Sequence, residues 1–423
     1  MIGVYQLFLR LVDRLPLPSV KAQRRFALAA LLSQALIAVT GSVVRVTGSG
    51  LGCPTWPKCF DDSLLPIPQD EVPWWHQAIE FGNRQIAVWI VVTTSIAIVL
   101  AVTRARRRRE ILVYAWILPF STFAQGILGG ITVLTGLRWW VVGAHMLVSC
   151  AMVWIAATLY AKVGEPDDGV EIEAAPAGAR RLVALSAVVM AFVLAAGVVV
   201  TAAGPHAGDR TNPKAIDRLD VSIPALSLTH GLLVAVYVAI LVWAAVLIVR
   251  GPSSEAVRRR VKIVFAVVAA QSLIGVVQYF TGVPALLVVL HVAGAMSVIA
   301  ETAILYRLMS ARVLRGSDVA PDKLGRMSDQ APGNVVSRLK GFAANHDGAT
   351  AVLQNMGEEG VRITLVGGDG VMGDQIVANP AQAKDAAEKA GLDTSEWDRE
   401  LVSKATTATG HHERMAGYRA FGR

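Results

Sequence analysis

The stretch that decides the fold is Gln271–His291, QSLIGVVQYFTGVPALLVVLH, because it occurs twice. At a constant offset of 146 residues stands Gln125–His145, QGILGGITVLTGLRWWVVGAH. Gln125/Gln271, Gly129/Gly275, Thr135/Thr281, Gly136/Gly282 and His145/His291 coincide. Each copy reads as the end of an apolar helix, a Thr-Gly turn and a second apolar segment with a histidine about a turn and a half inside it. A repeat this regular makes the protein two similar halves, each presenting a histidine at the same depth.

The repeat reaches further back. Gly41 and Gly48 match Gly197 and Gly204 at an offset of 156, and Asn83 falls opposite His230 at 147. The offset shrinks by nine, so the first outer loop is about nine residues longer than its twin.

Of the 423 residues, 54% are hydrophobic and 17% charged, too apolar for an ordinary soluble domain. Apolar runs of about 20 residues, long enough to cross a bilayer as helix, fall at 26–46, 80–103, 111–135, 140–162, 181–203, 225–249, 262–282 and 285–309. The net charge of +8 does not indicate nucleic acid, because the basic residues cluster between these runs. Arg104–Arg109, Lys162 with Arg180/Arg181, Arg250 with Arg258–Lys262, and Arg307–Arg315 follow the even-numbered runs, which places both chain ends in the cytoplasm. No cleavable signal peptide is evident.

The expected organisation is a cytoplasmic N-terminus (1–25), a four-helix bundle (26–162), a cytoplasmic linker (163–180), a second four-helix bundle (181–309) and a cytoplasmic extension (310–423). The fold class is all-α integral membrane, with two pseudo-symmetric bundles related as parallel repeats and a small soluble α/β-like extension. In the extension Val361–Val366 reads as a strand and Asp385–Lys404 as helical pieces. Gly368, Gly370 and Gly373 fit a G-x-G-x-x-G spacing, but no long helix follows, so a nucleotide site is not the favoured reading. His411 and His412 read as solvated.

The candidate chemistry lies near the outer face. His230 stands about six residues past Pro224 and His291 about seven past Pro284, each roughly 9–10 Å into its helix. An imidazole inside a membrane is costly unless it serves a purpose. Two at one depth suit haem iron better than zinc, which prefers four protein ligands. In the first half His145 matches His291, but Asn83 replaces the other imidazole. Glu80 lies one turn before Asn83 and reads either as a functional carboxylate or as the partner of Arg84. Arg45 and Arg84 read either as haem-propionate partners or as snorkelling cations. Cys53 and Cys59, in GLGCPTWPKC on the oxidising side, favour a disulfide over free or metal-binding thiols. Cys150 reads as a small buried residue, and His76 and His206 as solvated rather than at a haem edge.

With TGSVVRVTGSGLGCPTWPKC, IEFGNR, QGILGGITVLTG and the segments ending at His145, His230 and His291, residues 25–310 resemble the haem A synthase family. The resemblance implies eight helices in two bundles. It implies an oxidoreductase that takes the C8 methyl of haem O to a formyl group through two hydroxylations. Water would be the oxygen source, the electron acceptor is unspecified, and the haem A would serve cytochrome oxidase assembly. It implies haem b held by His230 and His291, the substrate haem at His145 with Asn83, Arg84 and Arg45 around it, Glu80 as catalytic carboxylate, and a Cys53–Cys59 disulfide. The implied partners are haem O, haem O synthase, oxidase assembly factors and the lipid bilayer, with no nucleic acid. Asn83 departs from the family, many of whose members carry histidine there. The competing reading is a non-enzymatic di-haem b-type cytochrome that passes electrons; a transporter with midplane polar sites fits poorly.

Overall fold

The structure is a computed structural model that describes residues 2–68, 72–206, 208–209, 218–313, 331, 333–356, 360–377 and 379–405. It divides into two units, Met1–Val313 and Leu314–Arg423.

Among the described residues of the first unit a short helix α1 (Ile2–Val12) precedes eight helices long and apolar enough to cross a membrane. The first is α2 (Val20–Thr47). The second runs from Trp74 to Arg104 as α3 (Trp74–Gln85), a π-helical stretch Ile86–Val91, and α4 (Val92–Arg104). The others are α5 (Arg109–Leu134), α6 (Trp139–Lys162), α7 (Ala177–Ala203), α8 (Ile223–Arg250), α9 (Glu255–Phe280) and α10 (Ala285–Leu308). These are the eight apolar runs of the sequence, several extended outward by a polar turn.

Local chemistry sets the boundaries. The Ser19 hydroxyl accepts from Ala22 N at 3.2 Å and starts α2; Gly48, in the left-handed region at φ 70°, ends it. The repeated Thr-Gly turns agree bond for bond. Thr135 and Thr281 donate their hydroxyls to the carbonyls of Ile131 and Val277, both at 2.7 Å. Gly136 and Gly282 take φ 66° and 77°, where a side chain would be strained.

The contacts close each half into a ring: α2 on α4, α4 on α5, α5 on α6, α6 on α2; then α7 on α8, α8 on α9, α9 on α10, α10 on α7. The rings meet through α6 on α10, α2 on α10 and α6 on α7. Because α6 and α10 are repeat equivalents, as are α2 and α7, this is the pattern of a pseudo-two-fold running between α6 and α10. The shared core occupies the inner ends of the helices, where Ala27, Ala156, Ala157, Ala179 and Ala303 let backbones approach closely around Ile98, Leu159, Ile248, Ile299 and Leu305.

The two copies differ by one residue inside their second helix. Connections 105–108 and 251–254 are equally long, and Gln125 and Gln271 stand equally far into α5 and α9. Yet Asn83 to Arg104 is one residue longer than His230 to Arg250. The surplus is absorbed where the first copy widens into the π-helical stretch, with Val92 N bonded to Ala87 O; α8 stays α-helical throughout. Thr93 and Thr94 donate their hydroxyls to the carbonyls of Trp89, Ile90 and Val91, satisfying groups the widening frees.

At the inner face the linker holds a strand absent from the sequence reading. It is β1 (Val170–Glu173), paired antiparallel with β2 (Ser310–Val313) just past α10. The basic cluster of 104–108 is largely consumed by protein partners: Arg106 by Asp13, Arg107 by Asp167, Gln23 and the Val163 and Glu165 carbonyls, Arg108 by Glu165.

The second unit contains α11 (Gly333–Asn345), β3 (Ala349–Asn355), β4 (Val361–Gly367), β5 (Met372–Val377), α12 (Pro380–Ala390), β6 (Asp393–Ser395) and α13 (Arg399–Lys404). Its sheet has the order β5-β4-β3-β6, with β6 parallel to β3 and the other pairs antiparallel. Ile363 and Leu365 pack under Leu339, Ala383 and Ala387; Val352 and Val366 pack under Leu401 on the other face. The glycines at 368, 370 and 373 belong to the β4–β5 hairpin, where Gly367 N donates to Val371 O at 2.8 Å. Asp369 there accepts from His346 Nδ1 at 2.8 Å, and the next element is a strand. His411 and His412 lie outside the described residues.

Each unit has its own core. Truncation after Val313 is therefore expected to leave membrane insertion of the eight helices intact, measured by extraction of the shortened protein from washed membranes; its loss to the soluble or aggregated fraction would contradict this.

Candidate functional site

In the repeated segment a glutamine side chain holds the backbone beside each histidine. Gln125 Nε2 donates to His145 O at 3.1 Å, and Gln271 Nε2 to His291 O at 2.8 Å. A glycine on the neighbouring helix then gives each ring its bed. A Cβ on Gly129 would lie 3.5 Å from His145 Cε1; on Gly275, 2.9 Å from His291 Cε1; on Gly197, 3.2 Å from His230 Cε1. The sequence showed these glutamines and glycines coinciding but not their task.

In the second bundle His230 and His291 face one another from α8 and α10, with ring centroids 6.4 Å apart and planes at 63°. His230 Nδ1 bonds Val193 O at 3.0 Å, which fixes that ring and leaves Nε2 available. His291 Nδ1 is buried without a partner. Among the described residues no group of three or more His, Cys, Asp and Glu side chains forms a metal site. Two facing imidazoles with no further ligand suit an iron whose other positions are filled by a macrocycle, so these residues fit haem.

In the first bundle His145 lies on Gly129, its Nδ1 likewise buried and unpartnered. Asn83 Oδ1 accepts from the Thr40 hydroxyl at 2.7 Å, and that hydroxyl also lies 3.2 Å from Ile37 O. Beside them, a Cβ built on Gly41 would meet nothing within 4 Å.

Glu80, 5% exposed, is bound on both oxygens. Oε2 accepts from Cys53 N at 2.7 Å and Oε1 from Arg84 Nη2 at 2.7 Å. Arg84 goes on to donate to the carbonyls of Lys58, Cys53 and Thr55. The pair thus anchors the outer loop, which is closed on itself by the Cys53–Cys59 disulfide. Trp56 of that loop lies flat on Gly130, where a Cβ would come within 2.6 Å of the indole. The adjacent glycines 129 and 130 therefore seat His145 and the loop side by side.

Arg45 Nη2 donates to Thr201 O at 3.0 Å, while its Nε is buried without a partner among the described residues. Thr201 is Arg45's own counterpart at the offset of 156, so this contact lies close to the pseudo-two-fold. Outer segments of the two halves join beside it, Gly50 N donating to Gly208 O at 2.7 Å. His76 is not solvated as its sequence position implied: it is buried, stacked on Trp75 and bonded to Ser49 Oγ at 2.9 Å. His206 likewise bonds Val283 O at 2.9 Å. Cys150 is buried and free.

Residues 24–303 match the family COX15-CtaA, described as "Cytochrome oxidase assembly protein". Among curated proteins the chain is 32% identical over 117 residues to the "Heme A synthase" of Geobacillus thermodenitrificans. It is 31% identical over 129 residues to that of Lysinibacillus sphaericus, and 28% over 157 residues to that of Shouchella clausii. The matched parts cover 27%, 30% and 37% of this chain, and the chain spans 35%, 40% and 50% of those relatives' lengths.

Removing Glu80 strands a poorly exposed guanidinium and frees the loop. Glu80→Ala is expected to lower stability by about 3–5 kcal/mol and to speed reduction of the Cys53–Cys59 disulfide. Thermal unfolding in detergent and the rate of thiol appearance under mild reductant measure both; an unchanged reduction rate would show that the loop is held by something else.

Proposed function

The chain belongs to the COX15-CtaA family of cytochrome oxidase assembly proteins, and on that premise we propose that it performs haem A synthesis. The reaction converts the C8 methyl of haem O to a formyl group. The observation that carries this reading is the inequality of the two bundles, with a facing imidazole pair in one and, in the other, a single imidazole, an amide in place of the second, and a buried carboxylate one turn before that amide. A relay that only passes electrons would favour imidazoles at all four positions, and Asn83 denies it one.

In the proposal, His230 and His291 hold a resident haem b, an iron cofactor that accepts and passes on single electrons. His145 holds the substrate haem in the first bundle. One fixed imidazole opposite a weakly ligating amide suits a group that has to arrive and leave. Arg45, whose Nε has no partner among the described residues, supplies a donor for a propionate, and Arg84 adds positive charge at the same outer level. Taking a methyl to a formyl group with oxygen from water releases four electrons and four protons. The electrons go to an acceptor outside the chain. Glu80 is the carboxylate proposed to receive protons, and the disulfide loop above it restricts access of bulk water. Haem O, delivered by its synthase, and oxidase assembly factors are the proposed partners. The positive clusters support a topology with both chain ends in the cytoplasm and the disulfide loop on the opposite face of the cell membrane.

Extraction and chromatography of the haems from purified protein test the reading. Haem B accompanied by haem O or A supports it; haem B alone favours electron transfer without synthesis. His230→Ala or His291→Ala is expected to abolish the low-spin b-type band in reduced-minus-oxidised spectra. Glu80→Gln can still accept from Cys53 N, and is expected to retain haem B while turnover falls by about 10²–10⁴-fold and haem O or a hydroxylated intermediate accumulates. A normal haem A yield from this variant would remove the carboxylate from the chemistry.

A further inference from the structure

The repeat allows one bundle to be compared with the other atom by atom around the second helix. In the second bundle the Val193 carbonyl on α7 bonds His230 Nδ1, with Ala196 and Gly197 one turn further along α7. At the offset of 156 the same positions on α2 are Ile37, Thr40 and Gly41. The Ile37 carbonyl has no imidazole to serve; the Thr40 hydroxyl stands 3.2 Å from it instead, and 2.7 Å from Asn83 Oδ1. With one proton to give, the hydroxyl donates along the shorter contact, to Asn83 Oδ1. Gly41 still keeps the bed a ring would need. A Cβ on Gly197 meets His230 at 3.2 Å, whereas a Cβ on Gly41 meets nothing within 4 Å. With its oxygen turned to Thr40, the Asn83 amide has its N–H groups uncommitted among the described residues.

Thr40 and Asn83 thus act as a pair: the hydroxyl holds the amide by its oxygen, which leaves the amide N–H groups uncommitted on a bundle that keeps open space at Gly41. We propose that the first bundle takes a small neutral exogenous ligand with a lone pair, of the class of carbon monoxide, on the haem face opposite His145, the Asn83 amide donating a hydrogen bond to it. This rests on the reading of the first bundle as a haem site and deepens it. The second bundle, with both imidazoles in place, takes no such ligand. The π-helical stretch begins three residues past Asn83, in this copy alone, so the departure from the second bundle covers backbone as well as side chains.

The test uses the purified full-length protein in detergent, loaded with hemin to two equivalents, reduced with dithionite and exposed to carbon monoxide. One of the two haems is expected to form the carbon monoxide adduct while the His230/His291 band stays low-spin. The double variant Thr40→Ala/Asn83→His rebuilds the Ala196/His230 arrangement in the first bundle. It is expected to weaken carbon monoxide binding at least about tenfold, roughly 1.4 kcal/mol, and to add a second low-spin band. The persisting His230/His291 band reports that it has folded. Asn83→Leu removes the donor without adding a ligand, and is expected to keep carbon monoxide binding but raise the C–O stretching frequency. Two bound hemins with no carbon monoxide adduct, or an undiminished adduct in the double variant, would overturn the proposal. An unmoved stretch in Asn83→Leu would remove the amide from it. If the protein takes up only one hemin, the reading of the first bundle as a haem site fails, a result distinct from both.

Discussion

Two hydrogen bonds, Gln125 to the His145 carbonyl and Gln271 to the His291 carbonyl, are the constraint around which each bundle is arranged. A buried amide donor requires an acceptor, and one in a bilayer finds it only in the protein. Each glutamine therefore locks the third helix of its half to the fourth at one register. That register places Gly129 or Gly275 against the histidine ring and leaves the imidazole edge open. Slipping either helix by one residue would break the bond and move the glycine off the histidine ring. The Thr-Gly turn between these helices, alike in both copies down to its hydroxyl bonds, fixes the same register from the other end.

On this common frame the two halves have diverged near the second helix. In one, His230 answers a backbone carbonyl with its ring; in the other, Thr40 donates its hydroxyl to Asn83 Oδ1 and a Cβ on Gly41 meets nothing within 4 Å. The extra residue absorbed by Ile86–Val91 allows the outer part of that helix, which carries Glu80, Asn83 and Arg84, to sit differently while its inner part still packs in the shared core. Divergence of this kind suits a protein whose halves do unlike work with like scaffolds.

Glu80 shows how a membrane site draws on structure for chemistry. Its oxygens are held by a loop amide and by Arg84, and Arg84 in turn gathers three loop carbonyls. The carboxylate is thereby kept at one place and shielded. The same contacts mean that Glu80→Ala, which removes the acceptor of Cys53 N, disturbs the loop, whereas Glu80→Gln keeps that acceptor, so the two variants report on different things.

Much of this was legible in the chain itself. Eight spans follow from apolar run lengths, and two bundles from the repeat, because a helix in lipid satisfies its own backbone and its extent is a local property. The matched depth of His230, His291 and His145 follows from counting residues to Pro224, Pro284 and the Thr-Gly turn. The offsets of 147 and 146 even held the surplus residue. What they did not hold was where it goes, since a loop or a π turn absorbs it equally well on paper. Partner choice was also out of reach: Glu80 to Cys53 N, Arg45 to Thr201 O across the pseudo-two-fold, His76 into Ser49 and Trp75, β1 onto β2. The Thr40–Asn83 pair was invisible for the same reason. Thr40 lies 43 residues from Asn83, and only the packing of α2 on the second helix decides that its hydroxyl meets the Asn83 amide oxygen.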